Sequence, residues 1–187
     1  MNTPEKKPAF RLWSTVNAEV LCCAVRYALG RQSYIVKVTT DEIKPLLPYL
    51  PPHSLYNIRN AIQKCTDYGD VYDYQHWKEF LCDVTAAVNK WRNGETAPPR
   101  PAVDVKSDSF GLVLCSAVRY SLSYDTYAEN TTFCLSPLLP YLSDGTIRRI
   151  RADVKEYPDY VENKETAEIW KKFLSGLNAE SERRHLT

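Results

Sequence analysis

Two arginines, each followed by a tyrosine, are the residues best suited to chemistry in this chain: Arg26-Tyr27 and Arg119-Tyr120. A guanidinium keeps its charge in a protein, so on an apolar stretch it has to be paired or reach solvent. Both arginines stand in such stretches, Leu21 to Leu29 and Leu114 to Leu122. Two roles follow. Each arginine can close an ion pair inside the fold, for which Asp67 and Asp159 are the shared acids. Alternatively Arg26, Tyr27, Arg31, Arg119 and Tyr120 can anchor a partner, because Arg and Tyr combine contact area with hydrogen bonding. A second basic set, Arg148, Arg149, Arg151 and Lys155, falls at helical spacing and makes a positive stripe. Such a stripe is a solvated face, or it meets phosphate or an acidic partner.

Other chemistries find little support. Cys22 and Cys23 are adjacent, while Cys65, Cys82, Cys115 and Cys134 are isolated. No C-x-x-C or H-x-x-x-H spacing is present, so we expect no metal site and free, mostly buried thiols. There is no nucleophile elbow, phosphate-binding loop or dinucleotide glycine fingerprint. The expectation is a protein that is not an enzyme and needs no cofactor.

The elements that carry the arginines are written twice. Leu21-Cys22-Cys23-Ala24-Val25-Arg26-Tyr27-Ala28-Leu29 returns as Leu114-Cys115-Ser116-Ala117-Val118-Arg119-Tyr120-Ser121-Leu122, 93 positions on. Pro45-Leu46-Leu47-Pro48-Tyr49-Leu50 returns unchanged as Pro137-Leu138-Leu139-Pro140-Tyr141-Leu142, at an offset of 92. Ile58-Arg59 pairs with Ile150-Arg151, and Trp77-Lys78-Glu79-Phe80-Leu81 with Trp170-Lys171-Lys172-Phe173-Leu174. Several blocks in one order point to duplication of a small domain, since the period exceeds that of common solenoids. Asn93 to Ala102 holds Pro98, Pro99 and Pro101, and reads as an extended connector.

Each copy reads as four helices. Val20, Leu21, Ala24, Val25, Ala28 and Leu29 make one wide apolar face, with Gly30 as a left-handed C-cap. A second helix opens at Ser33, although the β-branched run Tyr34 to Thr40 is ambiguous with a strand. Pro45 and Pro48 should segment it, because each lacks a backbone donor. Pro52 suits a first helical turn before Leu55, Ile58, Ile62 and Cys65. Ser143, Asp73 and Asn163 stand where N-caps belong. Tyr68-Gly69-Asp70 reads as a turn, and Trp77, Phe80, Val84, Val88 and Trp91 share a core face. The expected fold is all-α: two tandem, similar lobes of about four helices each, related by a pseudo-twofold. We place lobe one at 12–92, the connector at 93–106 and lobe two at 107–178. The pair should behave as a monomer holding an internal pseudo-dimer.

Composition narrows the function. Hydrophobic residues at 44% exclude a disordered chain, and 24 Lys+Arg against 23 Asp+Glu exclude a strongly basic or acidic surface as a whole. No apolar run reaches the length of a membrane span or a secretory signal, so the expectation is a cytoplasmic protein without a membrane partner. With 13 Tyr and 4 Trp, the leading reading is a non-enzymatic protein that binds a macromolecular partner. The alternative is nucleic-acid binding through the Arg148–Lys155 stripe.

The stretch Cys23-Ala24-Val25-Arg26-Tyr27-Ala28-Leu29-Gly30-Arg31 resembles that of small, uncharacterised phage and prophage accessory proteins. These carry an alanine-valine-arginine-tyrosine-alanine-leucine-glycine-arginine motif, usually once. The second copy departs from it, with Ser121, Ser123 and Tyr124 where Ala28, Gly30 and Arg31 stand. The resemblance implies a protein acting in a bacterial host's cytoplasm, and the class of inhibitors that block host defence complexes, anti-CRISPR proteins among them.

Overall fold

A computed structural model describes residues 10–12, 14–31, 33–67, 73–95, 103–157 and 162–186. The described residues form eight α-helices and three 3-10 segments, with no strand. In order they are α1 (Thr15–Leu29), α2 (Ser33–Ile43), η1 (Lys44–Tyr49), α3 (Pro52–Asp67) and α4 (Tyr74–Arg92). Then come α5 (Asp108–Ser123), η2 (Asp125–Tyr127), α6 (Ala128–Leu135), η3 (Ser136–Tyr141), α7 (Asp144–Lys155) and α8 (Lys164–Arg183). The predicted end of lobe two at 178 falls inside α8.

The central helices are apolar nearly all round, which is the pattern of a helix with no solvent face. In α1, Ala18 and every residue from Val20 to Val25 are buried, and α5 is buried in the same way from Val113 to Val118. These two helices pack against each other at the centre. Each is also crossed by an element from the other half: α2 lies on α5, and α6 on α1. One continuous cluster of buried side chains therefore runs through both halves. Trp77 and Trp170 are fully buried in it, and Phe10 meets the ring of Phe110 edge-on at 5.3 Å.

Local chemistry explains the boundaries. The Ser107 hydroxyl accepts the Phe110 N–H at 3.1 Å to start α5, and Ser143 accepts that of Thr146 at 3.2 Å to start α7. Asn163 accepts from Glu165 and Thr166 to start α8. Asp73 differs from expectation: it precedes α4 in the left-handed region, φ 59°, and its carboxylate makes no cap bond. Gly30 also differs, ending α1 at φ −96°, ψ 16° rather than left-handed. The two Pro-Leu-Leu-Pro blocks become the 3-10 segments η1 and η3, whose leucines are buried. The ambiguous run from Tyr34 to Thr40 is helical, as α2, because its apolar positions serve a helix–helix seam and no strand stands beside it. Trp91, expected in the core, is 49% exposed at the end of α4. The turn at Tyr68-Gly69-Asp70 and the prolines of the connector lie outside the described residues.

No helix among the described residues is long and apolar enough to cross a membrane. Of the cysteines, Cys22, Cys23, Cys115 and Cys134 are buried, Cys65 is half-buried and Cys82 is exposed. No cluster of His, Cys, Asp and Glu suited to a metal ion occurs among the described residues.

Candidate binding cleft

The two arginines stand at corresponding turns of α1 and α5, yet their surroundings differ. Arg119 donates from Nε to Asp153 Oδ2 at 2.8 Å, closing an ion pair between α5 and α7. That carboxylate holds the guanidinium above its ordinary pKa against the desolvation of partial burial, with Tyr27 from the other half contributing. Arg31 stacks its guanidinium on the Tyr27 ring at 4.4 Å. So Arg119, Tyr27 and Arg31 form one neighbourhood, already neutralised in part by Asp153.

Arg26 has no such acid among the described residues. Position 153 corresponds, at the offset of 92, to Ala61 on α3. Where half two puts a carboxylate, half one puts a methyl group. Among the described residues no carboxylate lies within ion-pair distance of Arg26. Its Nη1 instead donates to the Tyr127 hydroxyl, and its guanidinium lies 5.5 Å from the Tyr127 ring centre and 6.0 Å from that of Tyr120. Partial burial works against the charge, but these tyrosines outweigh it and hold the pKa above the ordinary value. A cation facing tyrosine rings is stabilised by their π-faces while its net charge stays unspent.

That charge opens onto a cleft of about 680 Å³ between α1, α3 and α5. Arg26, Asn57, Asn60, Lys64, Tyr120 and Tyr124 line it together with Ala61. Tyr120 and Tyr124 are a turn apart and their rings pack at 4.6 Å, tilted by 32°. Burial raises the Tyr120 phenol above its ordinary pKa, opposed in part by Arg26. Tyr124 is 53% exposed, so one ring face is open to a ligand. A smaller cavity of about 110 Å³ adjoins, sharing Arg26 and Asn57 and reaching Glu19, His53 and Tyr127. Its acid, Glu19, is engaged by the side-chain amide of Asn130 on α6. The larger cleft thus offers two cations, two amides and two phenol rings, with no acid among its described lining residues. Cations and amides without an acid among the described lining are the donor set that suits an anion.

The sequence-predicted site residues therefore divide. The structure brings Arg26 and Tyr120 into the cleft, across the boundary between the halves. It places Tyr27, Arg31 and Arg119 together elsewhere, with Arg119 consumed by Asp153. The expected acids Asp67 and Asp159 lie outside the described side chains, and Arg119 has taken Asp153 instead. On α7, Arg148, Arg149 and Lys155 are exposed, but Arg151 turns toward α8, donating to Asn178 Oδ1 at 2.9 Å. The stripe is thus three residues wide rather than four. Sequence reasoning missed Asn57, Asn60, Lys64, Tyr124 and Tyr127. The signal was available: comparing the copies position by position shows Asp153 against Ala61, an exchange that removes from the first copy the acid that Arg119 uses. Compared with known family models, curated proteins and solved structures, the chain matches none.

Proposed function

We propose that this chain is a non-enzymatic binding protein that receives an anionic group of a macromolecular partner in the Arg26 cleft. One observation carries the reading: among the described residues Arg26 has no carboxylate to match the Asp153 of its counterpart Arg119, and it faces an open cleft. A cation held in place by Tyr127 and short of a counter-charge favours an incoming acid, since the ordering cost is already met by the fold. The half carrying Asp153 then serves as scaffold, and the chain acts as a fused pseudo-dimer with one working cleft. The resemblance to phage accessory proteins gives this binding a purpose: occupying the surface of a host defence complex.

The test is affinity capture from bacterial host lysate with the tagged chain, run beside Arg26→Gln and Ala61→Asp. A partner enriched by the wild type and lost in both variants supports the reading. Enrichment unchanged by either variant refutes the cleft as the contact surface. A second reading, nucleic-acid binding, rests on the exposed Arg148, Arg149 and Lys155 of α7. It requires a mobility shift that weakens with salt and is lost in Arg148→Glu with Arg149→Glu.

A further inference from the structure

We propose that the anionic group accepted by the Arg26 cleft is the phosphate of a nucleotide, whose base stacks on Tyr124. The inference rests on the cleft being the contact surface, and it names what enters. Arg26 and Lys64 supply two cations, and a guanidinium matches phosphate oxygens with paired N–H donors. A phosphate alone would not fill about 680 Å³, a volume within the range of sites for whole small molecules. The remaining lining is suited to a base. The exposed ring of Tyr124, backed by Tyr120 at 4.6 Å, is a stacking platform of the kind that holds unpaired bases. Asn57 and Asn60, one turn apart on α3, each present a donor and an acceptor, which the hydrogen-bonding edge of a base can meet. A phosphorylated tyrosine would satisfy the cations, but its ring offers the exposed amides nothing to bond, whereas the edge of a base does. The nucleotide therefore gains hydrogen bonds that the phosphopeptide side chain lacks. Glu19, in the adjoining cavity, repels a phosphate and keeps it on the Lys64 side.

Titration calorimetry on the full chain decides this, using adenosine and uridine 5′-monophosphates, adenosine, inorganic phosphate, a 5′-phosphorylated tetranucleotide and a phosphotyrosine peptide. A nucleotide should bind at least tenfold tighter than adenosine or phosphate alone. Lys64→Glu and Tyr124→Ala, both at exposed positions, should each weaken it roughly tenfold or more with helicity unchanged. Ala61→Asp should do the same by giving Arg26 an internal counter-ion. Tighter binding of the tetranucleotide assigns the phosphate to a nucleic-acid end; equal binding assigns it to a free nucleotide, which keeps this inference and overturns the macromolecular partner of the proposed function. Binding of the phosphopeptide but of no nucleotide overturns this inference and leaves the binding reading standing. If none of these probes binds, this inference falls, and the capture experiment with Arg26→Gln and Ala61→Asp alone decides the binding reading.

Discussion

Adding one methyl group at Gly111 should destabilise the chain, and trimming one from Thr146 should restore it. Gly111 is buried on α5 where that helix crosses α7. A Cβ there would stand 2.0 Å from Thr146 Oγ1, 3.2 Å from its Cβ and 3.4 Å from its Cγ2. Thr146 is itself fully buried, and its hydroxyl is held by Ser143 Oγ at 2.9 Å. Turning the hydroxyl away breaks its bond to Ser143 and swings the methyl through a packed interior, and Thr146 Cβ at 3.2 Å stays tight in every rotamer. Serine, lacking Cγ2, can turn its hydroxyl into the vacated space. The helices must therefore part, and a contact of 2.0 Å puts the overpacking cost in the upper part of its range, about 2–3 kcal/mol. The better helix propensity of alanine returns about 1 kcal/mol. A net loss of roughly 1–2 kcal/mol would lower the melting temperature by about 2–8 °C in a chain of this size. In the first copy the corresponding pair is Ala18 and Ser54, on α1 and α3, with both residues buried. The added methyl sits on one partner there and is missing from the other. So Gly111→Ala with Thr146→Ser should approach or exceed wild-type stability, although each single change lowers it. Thermal and urea melts of the four proteins give the coupling, which should favour the double variant by about 1 kcal/mol or more. Additive effects, or a Gly111→Ala protein as stable as the wild type, would refute both the clash and the correspondence of the two helix crossings.

Other consequences can be measured directly. Trp170→Ala, at a fully buried position, should cost about 3–5 kcal/mol in urea melts, and Trp77→Ala a similar amount. Burial, chiefly, pushes the thiols of Cys22, Cys23, Cys115 and Cys134 up from 9.0 to about 12. With a thiol-specific reagent near pH 8, exposed Cys82 should react at once and these four only on unfolding; fast labelling of more than two native thiols contradicts that. The same shifts set a pH trend. A folded thiol that keeps its proton above pH 9 stabilises the fold fully below that value, and the contribution disappears between pH 9 and about 12. Stability measured in that window should fall more steeply than for a variant with Ser at Cys134.

Much of the fold was legible because helical periodicity and the repeat speak about interiors. Trp77, Phe80, Val84 and Val88 were expected on a core face and are buried, as are Trp170 and Phe173 at the repeated positions. The caps at Ser143 and Asn163 were legible from residue type alone. What the sequence hid was the partner of each apolar face. The surfaces of α2 and α6 read the same whether they cover their own half or the other, and only the structure shows that they reach across. The candidate cleft was half legible for the same reason. Arg26 and Tyr120 stood out as kept residues, but nothing in a linear spacing places position 120 beside position 26. Asn57, Asn60 and Lys64 lie on the solvent side of α3 and obey no core periodicity, so they carried no signal until the cleft was formed.

Comparison of the two halves yields more than comparison of their shared residues. Features kept in both copies, such as the tryptophans, describe what the fold requires. Features kept on one side of an interaction and lost on the other describe what has been released from that requirement. Arg119 with Asp153 is a satisfied pair, so its charge is spent on holding α5 to α7. Arg26 with Ala61 retains the cation and drops the anion, and α1 is held to α3 without it. The Tyr127 and Tyr120 rings outweigh the desolvation of the half-buried Arg26 guanidinium, but neither carries a negative charge, so the cation is held in place without being neutralised. The reciprocal exchange tests the logic: Asp153→Ala should free Arg119, and the anion that binds at Arg26 in the wild type should then gain a second, weaker site. Weaker is the expected sense, because in the second half Glu156 occupies the position of Lys64, Ala152 that of Asn60 and Arg31 that of the Tyr124 ring, while Arg149 at the position of Asn57 returns only one cation. A second site of equal strength would show that Asn60, Lys64 and the Tyr124 ring contribute nothing to the first.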